Sequence, residues 1–265
     1  MTFIDAGFWS RELDGWCDKK RVEHDLWYSL ADDVNADAMK VLFLAAPNKS
    51  NTRELLAAVL YGRALQSVQA VILLSRRGLI TDARALARGC LESAIVLGGL
   101  AHIENFEKEL IDDHHRSRQR TANVLLEAKP LNPGLTDEQR EQLRKIFGSI
   151  ATESQPGGPK SLVLEQVARR AGLESAYNML YRPLSGDAAH PTIESLTRLV
   201  TSGADGEIEG IAFRPTDTDL ENTLSAAITS IQIAMEALAQ TFQRQDLLAV
   251  AVATMSRMQA VKYPE

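Results

Sequence analysis

The hydrophobic positions of this chain recur mainly at steps of three and four residues, the spacing of amphipathic helices. The densest apolar stretch reads RELLAAVLYGRALQSVQAVILLSRRG up to Gly78 and, from Thr81, TDARALARGCLESAIVLGGLAHI. Glycine tolerates the left-handed conformation found after many helices. We therefore predict a central helical hairpin within residues 51–104, with its break at Gly78.

The ends and faces of this hairpin are also suggested by residue type. Asn51 or Thr52 can cap the first arm with a side-chain oxygen, and Thr81–Asp82 can begin the second. Apolar residues cover most of the circumference of the first arm, which should therefore be buried on more than one side. They are Leu56, Val59, Leu60, Val68, Val71, Ile72 and Leu74.

The same spacing predicts helices through the rest of the chain. They cover about 5–31, 37–46, 104–128, 136–150, 161–171 and 175–181, one starting at Pro191, one capped by Asp217 or Thr218 and running to about 243, and 245–261. Short β-type runs at Glu207–Ile208 and Ile211–Phe213 indicate at most a small hairpin near 206–215. We predict an all-α fold over 1–265: a single bundle of about eight to ten helices, with N-terminal helices in 1–50 and the remaining helices in 105–265.

The composition is that of an ordinary globular protein, with 45% hydrophobic and 24% charged residues. The formal net charge of −6 gives no overall electrostatic footprint for nucleic acid. Cys17 and Cys90 are too few for a disulfide framework or a zinc site. No basic, apolar leader opens the chain, and no run of about 18 apolar residues is uninterrupted. We expect a cytoplasmic protein with no membrane association and no metal or other cofactor.

Two apolar regions could also serve association between chains. Three tryptophans fall within the first 27 residues, and aromatic residues at helical spacing are more often core than partner surface. A homodimer through this N-terminal region or through the long C-terminal helices is a further hypothesis.

Candidate chemistry begins on the second arm of the hairpin. Arg84, Arg88 and Glu92 are four residues apart and share one face of a helix. One interpretation is an Arg–Glu ladder at the surface. The other is that neighbouring helices cover these charges, in which case they must be paired and would organise a polar pocket.

A second candidate is the segment YRPLSGDAAH, residues 181–190, in which Tyr181, Ser185 and His190 follow one another through a broken backbone. His190 could act as a general base near neutral pH, or it could close a turn and cap a helix. The tandem pair His114–His115 points its rings in directions about 100° apart on a helix, so one metal would not bind both. Phosphate-loop, dinucleotide-binding, HExxH, CxxC and GxSxG motifs do not occur.

Three separated motifs resemble those of a bacterial all-helical family known only as a domain of unknown function. They are a helix with R-x-x-x-E, found at 78–92, a Y-x-x-x-S-x-x-x-x-H loop at 181–191, and a glycine-rich turn at 206–215. The resemblance spans roughly 50–240. It implies an all-α fold with a polar cluster of Arg88, Glu92, Tyr181, Ser185 and His190, and it implies no particular activity.

A looser resemblance is to HEPN-type helical ribonucleases, whose bundles place an arginine and a histidine, with four to six residues between them, at a shared dimer groove. The nearest match here is Arg182 to His190, with seven residues between them and a proline after the arginine.

Two functions follow as hypotheses. The first is a binding module with a polar pocket against the central hairpin, in which Tyr181, Ser185, Arg84 and Arg182 contact a small ligand. The second is a metal-independent ribonuclease or phosphodiesterase, in which His190, Arg88 and Glu92 would be catalytic and RNA the partner. Whether the protein is an enzyme is left open by the sequence.

Overall fold

The computed structural model describes residues 2–127, 136–153, 161–188, 193–203 and 205–262. These residues are mostly helical, which confirms the all-α prediction. The α-helices are α1 (Phe3–Ala6), α2 (Asp14–Glu23), α3 (Asp25–Leu44), α4 (Thr52–Arg76), α5 (Ile80–His102), α6 (Phe106–Glu127), α7 (Asp137–Glu153), α8 (Leu164–Arg170), α9 (Glu174–Ala176), α10 (Arg182–Ala188), α11 (Ile193–Thr197), α12 (Leu220–Thr241) and α13 (Gln245–Lys262). Short 3₁₀ turns lie at Gly7–Trp9 and Arg11–Leu13, and a π-helical turn lies at Tyr177–Tyr181.

The predicted hairpin is confirmed as α4 and α5. The Asn51 side chain accepts hydrogen bonds from the backbone amides of Arg53 and Glu54, as expected of a helix cap. Gly78 has a φ of 74°, the left-handed conformation that ends the first arm. The second arm begins at Ile80, slightly before the predicted Thr81–Asp82, and its N-cap Leu79 makes no side-chain cap hydrogen bond.

The core forms where α12 packs against both arms of the hairpin, with α3 and α13 beside it. Val68 and Val71 of α4 are fully buried, as predicted, but Val59 is 70% exposed. The prediction that apolar residues bury α4 on several sides is therefore wrong at Val59, since no described helix covers the strip of the α4 surface that carries this residue.

The N-terminal prediction is partly wrong. The expected helix over 5–31 is interrupted by the 3₁₀ turns and again at His24, and α3 runs without a break through the gap expected before 37. The buried positions Tyr28, Ala31, Val34, Ala38 and Val41 continue at three- and four-residue steps along α3, so packing on the core holds it as one helix. Trp9 is 90% exposed, so it is not a core residue.

The small hairpin consists of β1 (Val200–Ser202) and β2 (Ile208–Ile211), which pair antiparallel. The region predicted to form a hairpin, 206–215, contains β2. Its partner strand β1 lies before the turn at Gly206, whereas both predicted strands lie after that glycine.

The predicted caps of the next helix are also wrong. Helix α12 begins at Leu220, and its N-cap Asp219 has a left-handed φ of 64° and no side-chain cap hydrogen bond, because its carboxylate is bound to Arg198.

Among the described residues, α4 is long and apolar enough to cross a membrane on those criteria alone. A core helix satisfies the same criteria, and α4 contacts α3, α5 and α12.

Candidate functional site

The face of α5 that carries Arg84, Arg88 and Glu92 is covered by other parts of the chain. The π-helical turn and α10 both contact α5. Arg84 is 8% exposed as a residue, and the side chains of Arg88 and Glu92 are 22% and 34% exposed. The structure thus favours the covered polar face over the solvated surface ladder.

Three of the predicted site residues meet in one cluster, the Arg88–Glu92–Tyr181 cluster. Arg88 Nη2 donates to the Tyr181 hydroxyl at 2.9 Å, and that hydroxyl donates to Glu92 Oε1 at 2.9 Å. Arg88 Nη2 also lies 2.9 Å from Glu92 Oε1. The Arg88 guanidinium lies 5.1 Å from the centre of the Tyr181 ring, where the cation is attracted to the ring face.

The titration behaviour of this cluster limits what it can do. Burial raises the pKa of Tyr181, and the hydrogen bond to Glu92 raises it further, against the effect of Arg88. Burial disfavours the charge of Arg88, but the hydrogen bond to Tyr181 and the charge of Glu92 outweigh that and raise its pKa. At neutral pH the tyrosine is therefore a protonated hydrogen-bond donor. The cluster is therefore better suited to holding and orienting a polar group of a ligand than to removing a proton from it.

A cavity of about 350 Å³ opens beside the cluster, between the hairpin and α6 and α8. We call it the hairpin pocket. Glu92 and Tyr181 belong to its lining, and aliphatic side chains form most of the remaining wall. Its full lining is Leu60, Arg63, Glu92, Ser93, Val96, Leu110, Asp113, Leu162, Leu164, Val167 and Tyr181.

The other predicted site residues lie elsewhere. Arg84 and Arg182 line a separate cavity. Arg182 also lies 5.6 Å from the Tyr177 ring centre and 3.4 Å from Glu165 Oε1. Ser185 is half-buried on α10. His190 lies outside the described residues, so its predicted catalytic role stays a prediction.

Sequence reasoning missed a second polar cluster, around His24. His24 Nδ1 lies 2.9 Å from Glu221 Oε1, and Nε2 lies 3.2 Å from Asp217 Oδ2. Three possible metal ligands lie within 4.8 Å of one another, a spacing that suits a metal ion. They are a carboxylate oxygen from each of Glu23 and Asp217 and a ring nitrogen of His24. Lys20 Nζ, however, contacts Glu23 at 2.6 Å and Asp217 at 2.7 Å, so an ammonium group already compensates these carboxylates. No local motif indicates contacts between residues that are nearly 200 positions apart in the sequence.

This cluster predicts a pH-dependent stability. Burial disfavours the charged imidazole, but hydrogen bonds to Glu221 and Asp217 outweigh it and raise the pKa of His24 above its ordinary 6.5. A raised folded-state pKa adds stability that is fully present below pH ~6.5 and is lost as the pH rises through the folded-state value. We therefore expect His24→Gln to lower the melting temperature more at about pH 5.5 than at about pH 8.5.

The control for this measurement is His102→Gln, which changes an exposed histidine at the end of α5. Its effect on the melting temperature should be small at both pH values. An equal loss for His24→Gln across the whole pH range would contradict the ion-pair explanation.

A family model described as "Family of unknown function (DUF5677)" matches residues 54–208, which is more than half of the chain. This range contains the whole of α5, nearly all of α4 and Tyr181. No curated protein and no solved structure matches the chain.

Proposed function

The chain belongs to the DUF5677 family, and we propose that this protein is a binding module that takes a small molecule in the hairpin pocket. The observation that carries the proposal is the construction of that pocket. Its walls come from both arms of the hairpin and from α6 and α8, and hydrogen bonds within the Arg88–Glu92–Tyr181 cluster hold two of its polar lining residues, Glu92 and Tyr181, in place. Small-molecule sites are typically concave, largely apolar cavities with a few fixed polar groups.

The lining indicates the chemistry of the ligand. An apolar body would contact Val96, Leu110 and Leu164, and burying that surface would supply most of the affinity. Arg88 already neutralises Glu92, and the pocket's other charged groups, Arg63 and Asp113, carry opposite signs. We therefore propose an amphipathic molecule with little net charge, whose polar end hydrogen-bonds to Glu92 or the Tyr181 hydroxyl.

The ribonuclease alternative stays a prediction. It depends on His190, outside the described residues, and on Arg88 or Arg182 to bind the phosphate. Arg88 is paired with Glu92 and Tyr181, and Arg182 contacts Tyr177 and Glu165. No contact of the described residues favours it over a binding module.

A fragment library titrated by ligand-observed NMR tests the binding proposal. Val96→Phe places a larger side chain in the pocket, so we expect fragments that bind the wild type to lose about tenfold or more in affinity, equivalent to ~1.4 kcal/mol. Val59→Phe makes the same substitution on the exposed strip of α4 and should leave those affinities unchanged.

Two results would count against a binding module. One is a library without any saturable binder. The other is that every fragment binds both variants and the wild type with equal affinity, because such fragments would occupy a surface outside the hairpin pocket. Circular dichroism of both variants verifies that the helices are intact.

A further inference from the structure

A further cavity, of about 250 Å³, lies where the N-terminal segment, the start of α5 and the small β-hairpin meet. We call it the aromatic pocket. Phe8 lines it from the first 3₁₀ turn, and Asp82 lines it from the first turn of α5. Phe213 and Arg214 line it from the segment that follows β2. It shares no described lining residue with the hairpin pocket, so the two cavities are separate sites.

Hydrogen bonds between distant segments hold the walls of the aromatic pocket together. Arg77 Nη2 donates to the carbonyl oxygens of Phe8 and Ser10 at 2.8 and 2.9 Å. These bonds tie the N-terminal 3₁₀ turn to the end of α4. The backbone amide of Thr216 donates to the Gly78 carbonyl oxygen at 3.1 Å, which ties the segment after β2 to the same place. The pocket is therefore formed before a ligand arrives, which lowers the entropy cost of binding.

Two phenylalanine rings give the pocket an aromatic wall. Phe8 and Phe213 pack edge to face, with their ring centres 5.6 Å apart. Phe213 is nonetheless 66% exposed, so most of its surface is open to water. Covering exposed apolar surface is favourable, and aromatic rings gain further from contact with one another. This wall therefore favours a ligand with an apolar body, and an aromatic one most of all.

Asp82 and Arg214 bring one negative and one positive charge to the same lining. Within the part of the chain that the structure describes, neither side chain has a hydrogen-bond or ion-pair partner. The other charged residue of the lining, Arg198, is paired with Asp219 at 2.6 Å. A ligand that carries both an ammonium group and a carboxylate would therefore supply a partner for each unpaired charge, whereas a ligand with one charge would supply only one.

We propose that the aromatic pocket binds a small zwitterion with an apolar side chain, the chemical class of the free aromatic amino acids. Asp82 accepts hydrogen bonds from the ammonium group of the ligand, and Arg214 donates to its carboxylate. The phenylalanine wall contacts its side chain. The cavity is slightly smaller than the ~300–1,000 Å³ of typical ligand pockets, a size that suits a single amino acid.

Ligand-observed NMR titration of the full chain with three related probes tests this inference. L-phenylalanine carries both charges, hydrocinnamate lacks the ammonium group, and phenethylamine lacks the carboxylate. We expect all three probes to bind saturably. L-phenylalanine should bind about three- to fivefold more tightly than either of the others, because each of them loses one ion pair at a solvent-accessible site.

Two charge variants locate the contacts by their selectivity. Asp82→Asn should weaken L-phenylalanine and phenethylamine by about three- to fivefold and leave hydrocinnamate bound at least as tightly as before. Arg214→Gln should weaken L-phenylalanine and hydrocinnamate by a similar factor and leave phenethylamine bound at least as tightly. A variant that merely folded poorly would weaken all three probes alike. Arg144→Gln, at an exposed arginine of α7, is the matched control and should bind every probe as the wild type does.

Two further variants separate this site from the hairpin pocket. Phe213→Ala removes part of the aromatic wall and should weaken all three probes. Val96→Phe, which fills the hairpin pocket, should leave them unchanged. If Val96→Phe weakened the probes and Phe213→Ala did not, they would occupy the hairpin pocket, and the present inference would fail while the proposed function stood.

The inference would also be overturned if L-phenylalanine showed no saturable binding at millimolar concentrations. A third contrary result would be that Asp82→Asn and Arg214→Gln change the affinities of all three probes equally, or change none of them. In that case the two charges would not contact the ends of the ligand.

Discussion

Gly78→Ala is expected to lower the free energy of unfolding by about 3 kcal/mol or more, since it combines backbone strain with a steric clash. Gly78 has a φ of 74°, which residues with a side chain rarely adopt. A Cβ at this position would lie 2.7 Å from Pro215 Cβ, 2.7 Å from the Trp16 ring and 2.8 Å from the backbone nitrogen of Thr216. Two of these neighbours are proline and backbone atoms, which cannot move aside as a flexible side chain can.

Urea unfolding of the full chain measures this effect. Gly62→Ala is the matched control, because Gly62 lies inside α4 and a Cβ there would meet nothing within 4 Å. Alanine favours a helix over glycine, so the control should be neutral or more stable by up to about 1 kcal/mol. A Gly78→Ala protein as stable as Gly62→Ala would show that the turn tolerates a side chain, contrary to the contacts described above.

Phe106→Ala is expected to lower the free energy of unfolding by about 3–5 kcal/mol, the range for removing a fully buried phenylalanine. Phe106 is the first residue of α6, is completely buried, and packs against α5 at Gly99. A Cβ on Gly99 would lie 2.4 Å from the Phe106 ring. The absence of a side chain at Gly99 is what allows the ring to fit against the helix.

A double-mutant cycle tests that fit directly. Gly99→Ala alone should be destabilising by about 1–3 kcal/mol, because the buried ring has no room to move. In the Phe106→Ala background the added methyl group would occupy vacated space, so the same change should cost much less and the coupling should be about 1 kcal/mol or more.

Gly89→Ala controls for helix propensity in this cycle, since Gly89 lies on the same helix and a Cβ added there would meet nothing within 4 Å. Its effect should be the same in both backgrounds. If Gly99→Ala were also equally destabilising with and without Phe106, the close approach of the ring would not be the cause.

Residue patterns predicted the hairpin best, because its determinants are local. Asn51 caps α4 through amides two and three residues away, and Gly78 ends it through its own φ. The four-residue spacing of Arg84, Arg88 and Glu92 likewise places them on one face whatever the surrounding fold. Patterns failed at α3, where packing overrode an apparent break, and at the N-cap of α12, where Asp219 binds Arg198 instead of the helix amides.

By itself the sequence determined the all-α class, the hairpin and its polar face, since these follow from backbone preferences and from side-chain spacing over a few residues. Only the tertiary structure decided which side chains contact the polar face of α5. It brought Tyr181 onto Arg88 and Glu92 across about 90 residues, and His24 onto Asp217 and Glu221 across nearly 200. It also placed Arg84 and Arg198 on one cavity. Such contacts depend on how helices pack, and packing reflects shape and burial summed over the whole core, which no local pattern records.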